Sequence, residues 1–500
     1  MAAPALSEEL VEQWADRKWR LNNLYWIENK YGDVVLFKPN EVQNQLLDEL
    51  HYLNLILKAR QMGFSTLILV LGLDCCVFND HFSAGLIADT LDNAKNLLDR
   101  IKFSYEKLPE QIRAVVPMTK CNETEIEFGN GSDIEVGVSL RSTTKQFLHI
   151  SEYGKICAKD PKRAKEVKSG ALNTLAPRQL GFIESTAEGQ DGDFYDKSEA
   201  AKAILDAGNE PTDLEYKFHF FAWWQDSTYR TSDPVKIPAD VRTYFAELEA
   251  EHGIVLDNEQ KWWYAAKVAE QGEDMWKEYP STPEEAFKAA KDGAYFAKQM
   301  RALRQLKRIG SFAPDPRTPV NTFWDLGVRD STIIWLHQQI AGRHRFVGFY
   351  ESNGEGIAHY IDWLNKWSVM NGCVFGTHYG PHDVDHKKQG ENAESIKDIA
   401  ARLGFRFEVV ERSLNKNQSI QRVRTVLPEC EFDEEACSAG IKHMENYSKE
   451  WDDGKGCWRD KPRKDGHDHT ADAFMTFADG YEPPRDDMAA PMIPEYGTIA

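Results

Sequence analysis

Long apolar runs are missing from this 500-residue chain, and so is any excess of positive charge. No uninterrupted apolar stretch approaches the roughly 20 residues that a membrane-spanning helix needs, so the expectation is a protein with no membrane partner. Residues Met1 to Trp19 have neither a basic start nor an apolar core, which predicts a protein that is not secreted. Cysteine is sparse in pattern: the eight thiols show no C-x-x-C spacing, which argues against a structural zinc site and fits reduced thiols in a cytosol. With 80 Asp and Glu against 60 Lys and Arg, the formal net charge is −20. Passive coating of nucleic acid by a basic surface is thereby excluded. A local basic groove, or carboxylates gathered around divalent metals, is not.

What is present is enough apolar and aromatic content for well-packed cores, 42% and 11%, in a chain longer than one core, so two or three domains are expected. The chain is organised around Leu53-Asn54-Leu55-Ile56-Leu57 running into Lys58-Ala59-Arg60-Gln61-Met62-Gly63-Phe64-Ser65-Thr66 and then the apolar Leu67 to Leu71. This is the pattern of a strand, a phosphate-holding loop and a helix. Against G-x-x-x-x-G-K-[ST], Gly63 and Ser65 fit, but Lys58 stands at the first Gly and Phe64 at the Lys. A phosphate loop needs converging backbone N–H groups, a cation and a hydroxyl for Mg²⁺. Gln61 and Gly63 offer the backbone, Lys58 or Arg60 the cation, and Ser65 or Thr66 the hydroxyl. Gln43, a short way upstream, stands where many nucleotide-driven motors read adenine.

Residues 8 to 30 read as an amphipathic helix, and beyond the loop strands and helices alternate. Ser83 to Ala88 reads as a strand, Thr90 to Lys107 as a helix, and Glu125 to Val138 as a hairpin around Asn130-Gly131. Phe147 to Ile150 ends in Ser151-Glu152, and Leu180 to Glu184 ends in Ser185-Thr186. Alternation of this kind predicts an α/β domain with a parallel-rich sheet whose ligands sit at the carboxyl ends of the strands. Glu152 is the candidate carboxylate for the attacking water, and Ser185 and Thr186 are candidates for sensing the γ-phosphate. The Asp that usually precedes such a Glu and steadies Mg²⁺ is Ser151 here. The aromatic run Phe218 to Trp224 reads as core.

A linker over Ile309 to Pro316 marks the expected boundary, giving domains 1–312, with a linker or lid over about 215–312, and 313–482, with a flexible tail over 483–500. The second half begins with three antiparallel strands, Thr322 to Gly327, Ser331 to Leu336 and Arg345 to Glu351, then alternates helix and strand and ends in a helix over His469 to Phe474. That is the order of an RNase H-like nuclease. In that fold Asp325, Asp383 and Asp472 meet on one side of the sheet, with Asp468 one turn before Asp472. Two Mg²⁺ or Mn²⁺ ions on such acids activate water for phosphodiester cleavage. The rival metal reading, His378, His382, Asp385 and His386 as a zinc cluster, crowds its ligands into one loop without a cysteine. Asp330 reads as a turn residue.

With both halves in place, the sequence resembles the large terminase subunit of tailed bacteriophages. The resemblance runs from Asn23-Leu24-Tyr25-Trp26-Ile27 to His467-Asp468-His469-Thr470-Ala471-Asp472 and is carried most by the phosphate loop, Leu148 to Glu152, Ser185-Thr186-Ala187, Glu278 to Phe287 and Trp324-Asp325-Leu326-Gly327. It implies a P-loop ATPase domain of the ASCE, RecA-like kind joined to an RNase H-like nuclease. The implied cofactors are ATP and Mg²⁺ or Mn²⁺. The implied partners are double-stranded DNA, the portal protein, the small terminase subunit and further copies of the chain in a ring, in the host cytoplasm and transiently on the procapsid. It also implies that Arg60 or Lys58 replaces the loop lysine, and that an arginine acting on the neighbouring subunit lies shortly before the catalytic acid. Arg141 matches that place, with Arg178 as the alternative. Rival readings are a helicase–nuclease of repair or defence, and an assembly module that binds nucleotide without hydrolysing it.

Overall fold

The computed structural model describes residues 8–482 apart from 141–143, 289–292, 328–330, 386–393, 412, 414 and 453–456. Arg141, Asp330, His386 and the tail 483–500 therefore lie outside the described residues. The chain forms two compact units that divide between residues 292 and 293.

In the first unit, helices Glu8–Ala15 and Arg17–Asn23 lead into a two-stranded hairpin, β1 (Trp26–Glu28) and β2 (Val34–Leu36). The helix expected as far as residue 30 thus stops at Asn23. Two local causes are visible. Asn29 Oδ1 accepts from the amides of Tyr31 and Asp33 at 2.9 Å, closing a turn in which Gly32 takes a positive φ of 82°. The Tyr25 hydroxyl donates to buried Asp74 at 2.7 Å, which pulls the chain into the core. Arg20 grips the same carboxylate through two nitrogens, each at 2.7 Å, in the fork geometry that suits a buried pair.

The main sheet comprises β3 (Leu53–Lys58), β4 (Ser83–Ile87), β5 (Met118–Cys121), β6 (Glu125–Phe128), β7 (Asp133–Gly137), β8 (Lys145–Ser151), β9 (Leu175–Ser185) and β10 (Lys217–Phe221). Its order is β10-β3-β9-β8-β4-β7-β6-β5, parallel from β10 to β7, with β6 and β5 running antiparallel. Leu55, Ile56 and Leu57 are all inaccessible, as expected of a parallel strand covered on both faces. Helix Phe64–Phe78 is buried along most of its length. Phe218 to Phe221, read as core, form the strand beside β3.

The second unit holds β11 (Ile309–Gly310), β12 (Val320–Asp325), β13 (Ser331–Ile340), β14 (Arg343–Asn353), β15 (Phe375–Pro381), β16 (Phe407–Val410) and β17 (Cys430–Asp433), in the order β11-β17-β14-β13-β12-β15-β16. A separate hairpin pairs β18 (Lys449–Asp452) with β19 (Cys457–Pro462). β12, β13 and β14 are antiparallel neighbours, and β15 and β16 continue parallel to β12, as the order of elements predicts. The last helix, His467–Gly480, packs across β12 and β13. Trp335 Nε1 donates to the Thr470 carbonyl at 3.2 Å and Thr476 Oγ1 to the Trp324 carbonyl at 3.2 Å.

The division falls before the linker expected at 309–316. Helix Ala297–Gln305 buries Met300 and Leu303 in the second unit's core, and Ile309 pairs with Phe432, so these residues fold with the second unit. Turn chemistry alone places the boundary too late. Among the described residues no helix is long and apolar enough to cross a membrane.

One buried acid of the first unit has a pH signature. Glu285 is 7% exposed; Ser281 N donates to its Oε2 at 2.7 Å and the Tyr244 hydroxyl contacts both oxygens. Burial outweighs these bonds and lifts its pKa to about 7. A carboxyl whose folded pKa is raised binds its proton more tightly when folded. Its contribution is intact below the unfolded pKa of about 4.5 and is lost as pH rises through 7. Glu285→Gln is therefore expected to stabilise the protein relative to wild type more at pH 8 than at pH 5, by on the order of 2–3 kcal/mol, in urea unfolding at the two pH values.

Candidate functional site

Parallel strands deliver their last residues to one edge of a sheet, and in the first unit that edge gathers charge. Lys58 ends β3, Ser151 ends β8 with Glu152 next, and Glu184 and Ser185 end β9. The register sets Ser151 opposite Glu184 and Leu57 opposite Ser185. Glu184 is fully inaccessible and is the hub. Its Oε1 accepts from Ser65 Oγ at 2.7 Å and Ser151 Oγ at 2.7 Å, with His149 Nε2 at 3.4 Å, and its Oε2 lies 3.1 Å from Lys58 Nζ. Lys58 Nζ also stands 3.6 Å from Glu152 Oε1. Burial pushes the Glu184 carboxyl up, but Lys58, His149 and Ser65 together hold it well below the usual range. Burial likewise lowers the Lys58 ammonium, and Glu184 and Glu152 more than reverse this. Both groups are charged at neutral pH.

The loop itself has the form of an anion cradle. Gln61 and Gly63 both take positive φ, 61° and 78°, on either side of Met62. Among the described residues no acceptor takes the amides of Gln61, Met62 or Gly63, and no side chain caps the helix that starts at Phe64. Successive free amides at a helix N-terminus attract anions. Phe64, where the pattern has lysine, turns into the core and packs on Phe221 with ring centroids 4.4 Å apart.

Several expected contacts have other employment. Arg60 is half-exposed and points away: its Nη1 lies 3.2 Å from Glu278 Oε2, its amide donates to the Glu278 carbonyl, and Tyr229 donates to its carbonyl. Of the two candidate cations, Lys58 is therefore the one at the strand ends. Gln43 is buried; its Oε1 accepts from Asn40 N at 2.9 Å and its Nε2 donates to the Gly63 carbonyl at 2.8 Å. It clasps the loop, and a Cβ on residue 63 would come within 2.7 Å of that amide. A free amide for reading adenine is not what the structure presents. Ser185 Oγ accepts from Gly154 N at 3.0 Å and so ties β9 to the helix behind Glu152. Thr186 is buried, with no hydrogen-bond partner for its hydroxyl among the described residues. Thr66 accepts from Arg100, a basic residue that no motif pointed to. Arg178 is exposed and pairs with Asp213 at 3.0 Å.

Glu152 itself is left-handed, φ 56° and ψ 41°, at the junction of β8 and helix Tyr153–Lys159. A non-glycine residue there stores strain of order 1–3 kcal/mol, a feature that clusters at functional sites. Lys155, one turn on, holds its Oε2 at 2.8 Å.

In the second unit Asp325, Asp383 and Asp472 line one cleft of about 570 Å³ together with Lys416 and Asp479. Asp325 Oδ2 meets His469 Nδ1 at 2.9 Å, and Lys416 pairs with Asp472. Burial raises the Asp472 carboxyl to about 6; Lys416 opposes this, while Asp325 and Asp468 add to it. Asp383, 57% exposed, sits beside His382 at 2.9 Å. Asp468 does not line the cleft: it is buried and its Oδ1 accepts from the amide of Gly466, the residue before its own helix, at 3.1 Å. Among the described residues no group of three His, Cys, Asp or Glu stands ready to hold a metal ion. Asp325, Asp383 and Asp472 share a cleft without forming a closed ligand set, and the fourth expected ligand, Asp468, lies outside it. The zinc alternative also fails on its described members. His378 is buried, bonded to Thr322 Oγ1 at 2.8 Å and stacked on Phe405 at 3.6 Å, and Asp385 pairs with Lys397.

Glu184, His469 and Lys416 were not marked by any motif. For Glu184 the available signal was an acid inside an apolar strand; for His469, its place one turn before Asp472.

No family model and no curated protein matches the chain. Among solved structures it is similar to large terminases of bacteriophages. For the HK97 bacteriophage large terminase the identity is 11% over 85% of this chain and 90% of the other, with a TM-score of 0.38. For the large terminase of a thermophilic bacteriophage the figures are 13%, 85%, 93% and 0.29. For the ATPase domain of the Thermus phage P74-26 large terminase they are 15%, 51%, 96% and 0.31. Values this low leave the functional reading to the chain's own residues.

Proposed function

We propose that the chain is a viral DNA-packaging motor of the large-terminase kind: its first unit hydrolyses ATP to drive double-stranded DNA through a portal into a procapsid, and its second cuts the concatemer. The observation that carries the reading is the convergence of Lys58, Ser65, Glu152 and Glu184 at the carboxyl edge of a parallel sheet, beside a loop of unclaimed amides. Lys58 supplies the phosphate-binding cation, the amides of Gln61 to Gly63 the cradle, and Glu152 the carboxylate that orients water. Ser185 connects that carboxylate's helix to the next strand and so to the nucleotide state. The portal, the small terminase subunit and sister copies in a ring, met in the host cytoplasm, belong to this reading.

The metal question differs between the units. Around Ser65 the donors that could face a cation are oxygens, the Ser65 hydroxyl and the Glu152 carboxylate, with inaccessible Glu184 hydrogen-bonded to Ser65, which suits Mg²⁺; when bound it neutralises phosphate charge. In the second unit Asp325, Asp383 and Asp472 are likewise all-oxygen donors. The mutual repulsion of Asp325 and Asp472 is the kind a divalent cation relieves. Asp325 and Asp472 would hold it, with Asp383 across the cleft. His469 fixes the orientation of Asp325.

Two outcomes are expected. Lys58→Ala and Glu152→Ala each lower DNA-stimulated ATP turnover by roughly 10²-fold or more, whereas Arg60→Ala stays within about tenfold of wild type, and plasmid cutting is unchanged in all three. Turnover retained in Lys58→Ala overturns the assignment of the cation. Asp325→Ala and Asp472→Ala abolish Mg²⁺- or Mn²⁺-dependent cutting of plasmid DNA on agarose gels while ATP turnover persists. Cutting by both variants would place the nuclease site elsewhere.

A further inference from the structure

We propose that Glu184 is the positioning carboxylate for the Mg²⁺ that accompanies nucleotide in the first unit, doing from β9 what an acid at the position of Ser151 does where the usual pattern is kept. The inference rests on the reading of that unit as an ATPase. A loop hydroxyl that ligates a cation must turn its proton away from the metal, and a carboxylate behind it accepts that proton in a hydrogen bond. Ser151 has no charge with which to do this. Glu184 is its neighbour across the β8–β9 register. One of its oxygens receives both the Ser65 and the Ser151 hydroxyls at 2.7 Å. The Ser65 proton is thus directed at Glu184, and the lone pairs of its oxygen remain for a ligand.

Position and electrostatics support the assignment independently. Glu184 is fully inaccessible, and a carboxylate so placed is costly unless charge and hydrogen bonds both answer it. The answers come from the phosphate strand (Lys58), the phosphate helix (Ser65) and the neighbouring strand β8 (His149, Ser151). Three of the elements that close on nucleotide are therefore indexed to one carboxyl group. Lys58 stands between Glu184 and Glu152, 3.1 and 3.6 Å from their oxygens.

The experiment is equilibrium binding of ADP to the full-length protein, by calorimetry, in Mg²⁺ and in EDTA. The readout is the ratio of the two affinities. Wild type is expected to bind more tightly with Mg²⁺. Glu184→Gln, which keeps the shape and removes the charge, is expected to cut that ratio by about tenfold or more while affinity in EDTA changes by less than about threefold. Ser151→Asp combined with Glu184→Ser returns an acid to β8 against the same lysine and is expected to recover the ratio. It also serves as the decisive variant should Glu184→Gln unfold. An unchanged ratio in Glu184→Gln, or an equal loss with and without Mg²⁺, overturns the proposal, as does a folded double variant that shows no recovery. Wild-type protein that binds no nucleotide in either buffer overturns the ATPase reading itself.

Discussion

A carboxylate with no access to water can stay ionised only if the protein supplies what the solvent would have supplied. Glu184 imposes that constraint on the first unit, because its partners lie on β3, β8 and helix Phe64–Phe78. Placing Lys58 against it fixes where β3 ends. Placing Ser65 against it fixes the rotation of helix Phe64–Phe78, whose first residue, Phe64, then faces Phe221 in the core. A lysine at position 64 would have to lie in that apolar contact, an expensive place for an ammonium ion. The displaced cation and the aromatic at the vacated position are one arrangement.

The architecture was legible where a regular period meets a covered face. Leu53 to Leu57 read as a strand, and Thr322 to Glu351 as three successive strands, because an apolar run of that length has a backbone geometry of its own whatever packs on it. The misreadings occur where a long-range contact overrides local preference. The helix expected to residue 30 ends at Asn23 because Tyr25 and Arg20 converge on Asp74, far along the sequence. The boundary expected between residues 312 and 313 lies at 292–293 because helix Ala297–Gln305 has its apolar face in the second core. Neither contact leaves a mark in a local window.

The site was legible in a similar, partial way. Lys58, Ser65, Glu152 and Ser185 could be picked out because each ends a strand or starts a helix, and parallel topology brings such positions together whatever the intervening chain does. Which of them touch could not be read. Arg60 and Lys58 look equivalent in sequence, yet only Lys58 continues the strand direction into the cluster, while Arg60 follows the loop out to Glu278. Gln43 stands upstream of the loop where nucleotide-driven motors read adenine; its amide is consumed in a cap at one end and the loop carbonyl at the other. Glu184 went unmarked because an acid in a strand is significant only once its partners are known.

The two units meet the same electrostatic problem with opposite results. Each sets a lysine against an acid, Lys58 against the inaccessible Glu184 and Lys416 against the partly exposed Asp472. In the first, hydroxyls and a histidine reinforce the lysine, and the acid is held below its ordinary range. In the second, Asp325 and Asp468 oppose the lysine, and Asp472 rises to about 6. The first carboxylate thus keeps its charge across the neutral range, and its surroundings are fixed before any ligand arrives. The second lies close to its titration point, in a cleft whose acids repel one another. A surplus of like charge around an open cleft is unfavourable for the empty protein and favourable for a divalent cation. This supports a site built in the first unit to hold its internal geometry constant and one in the second that becomes complete when a cation joins its acids.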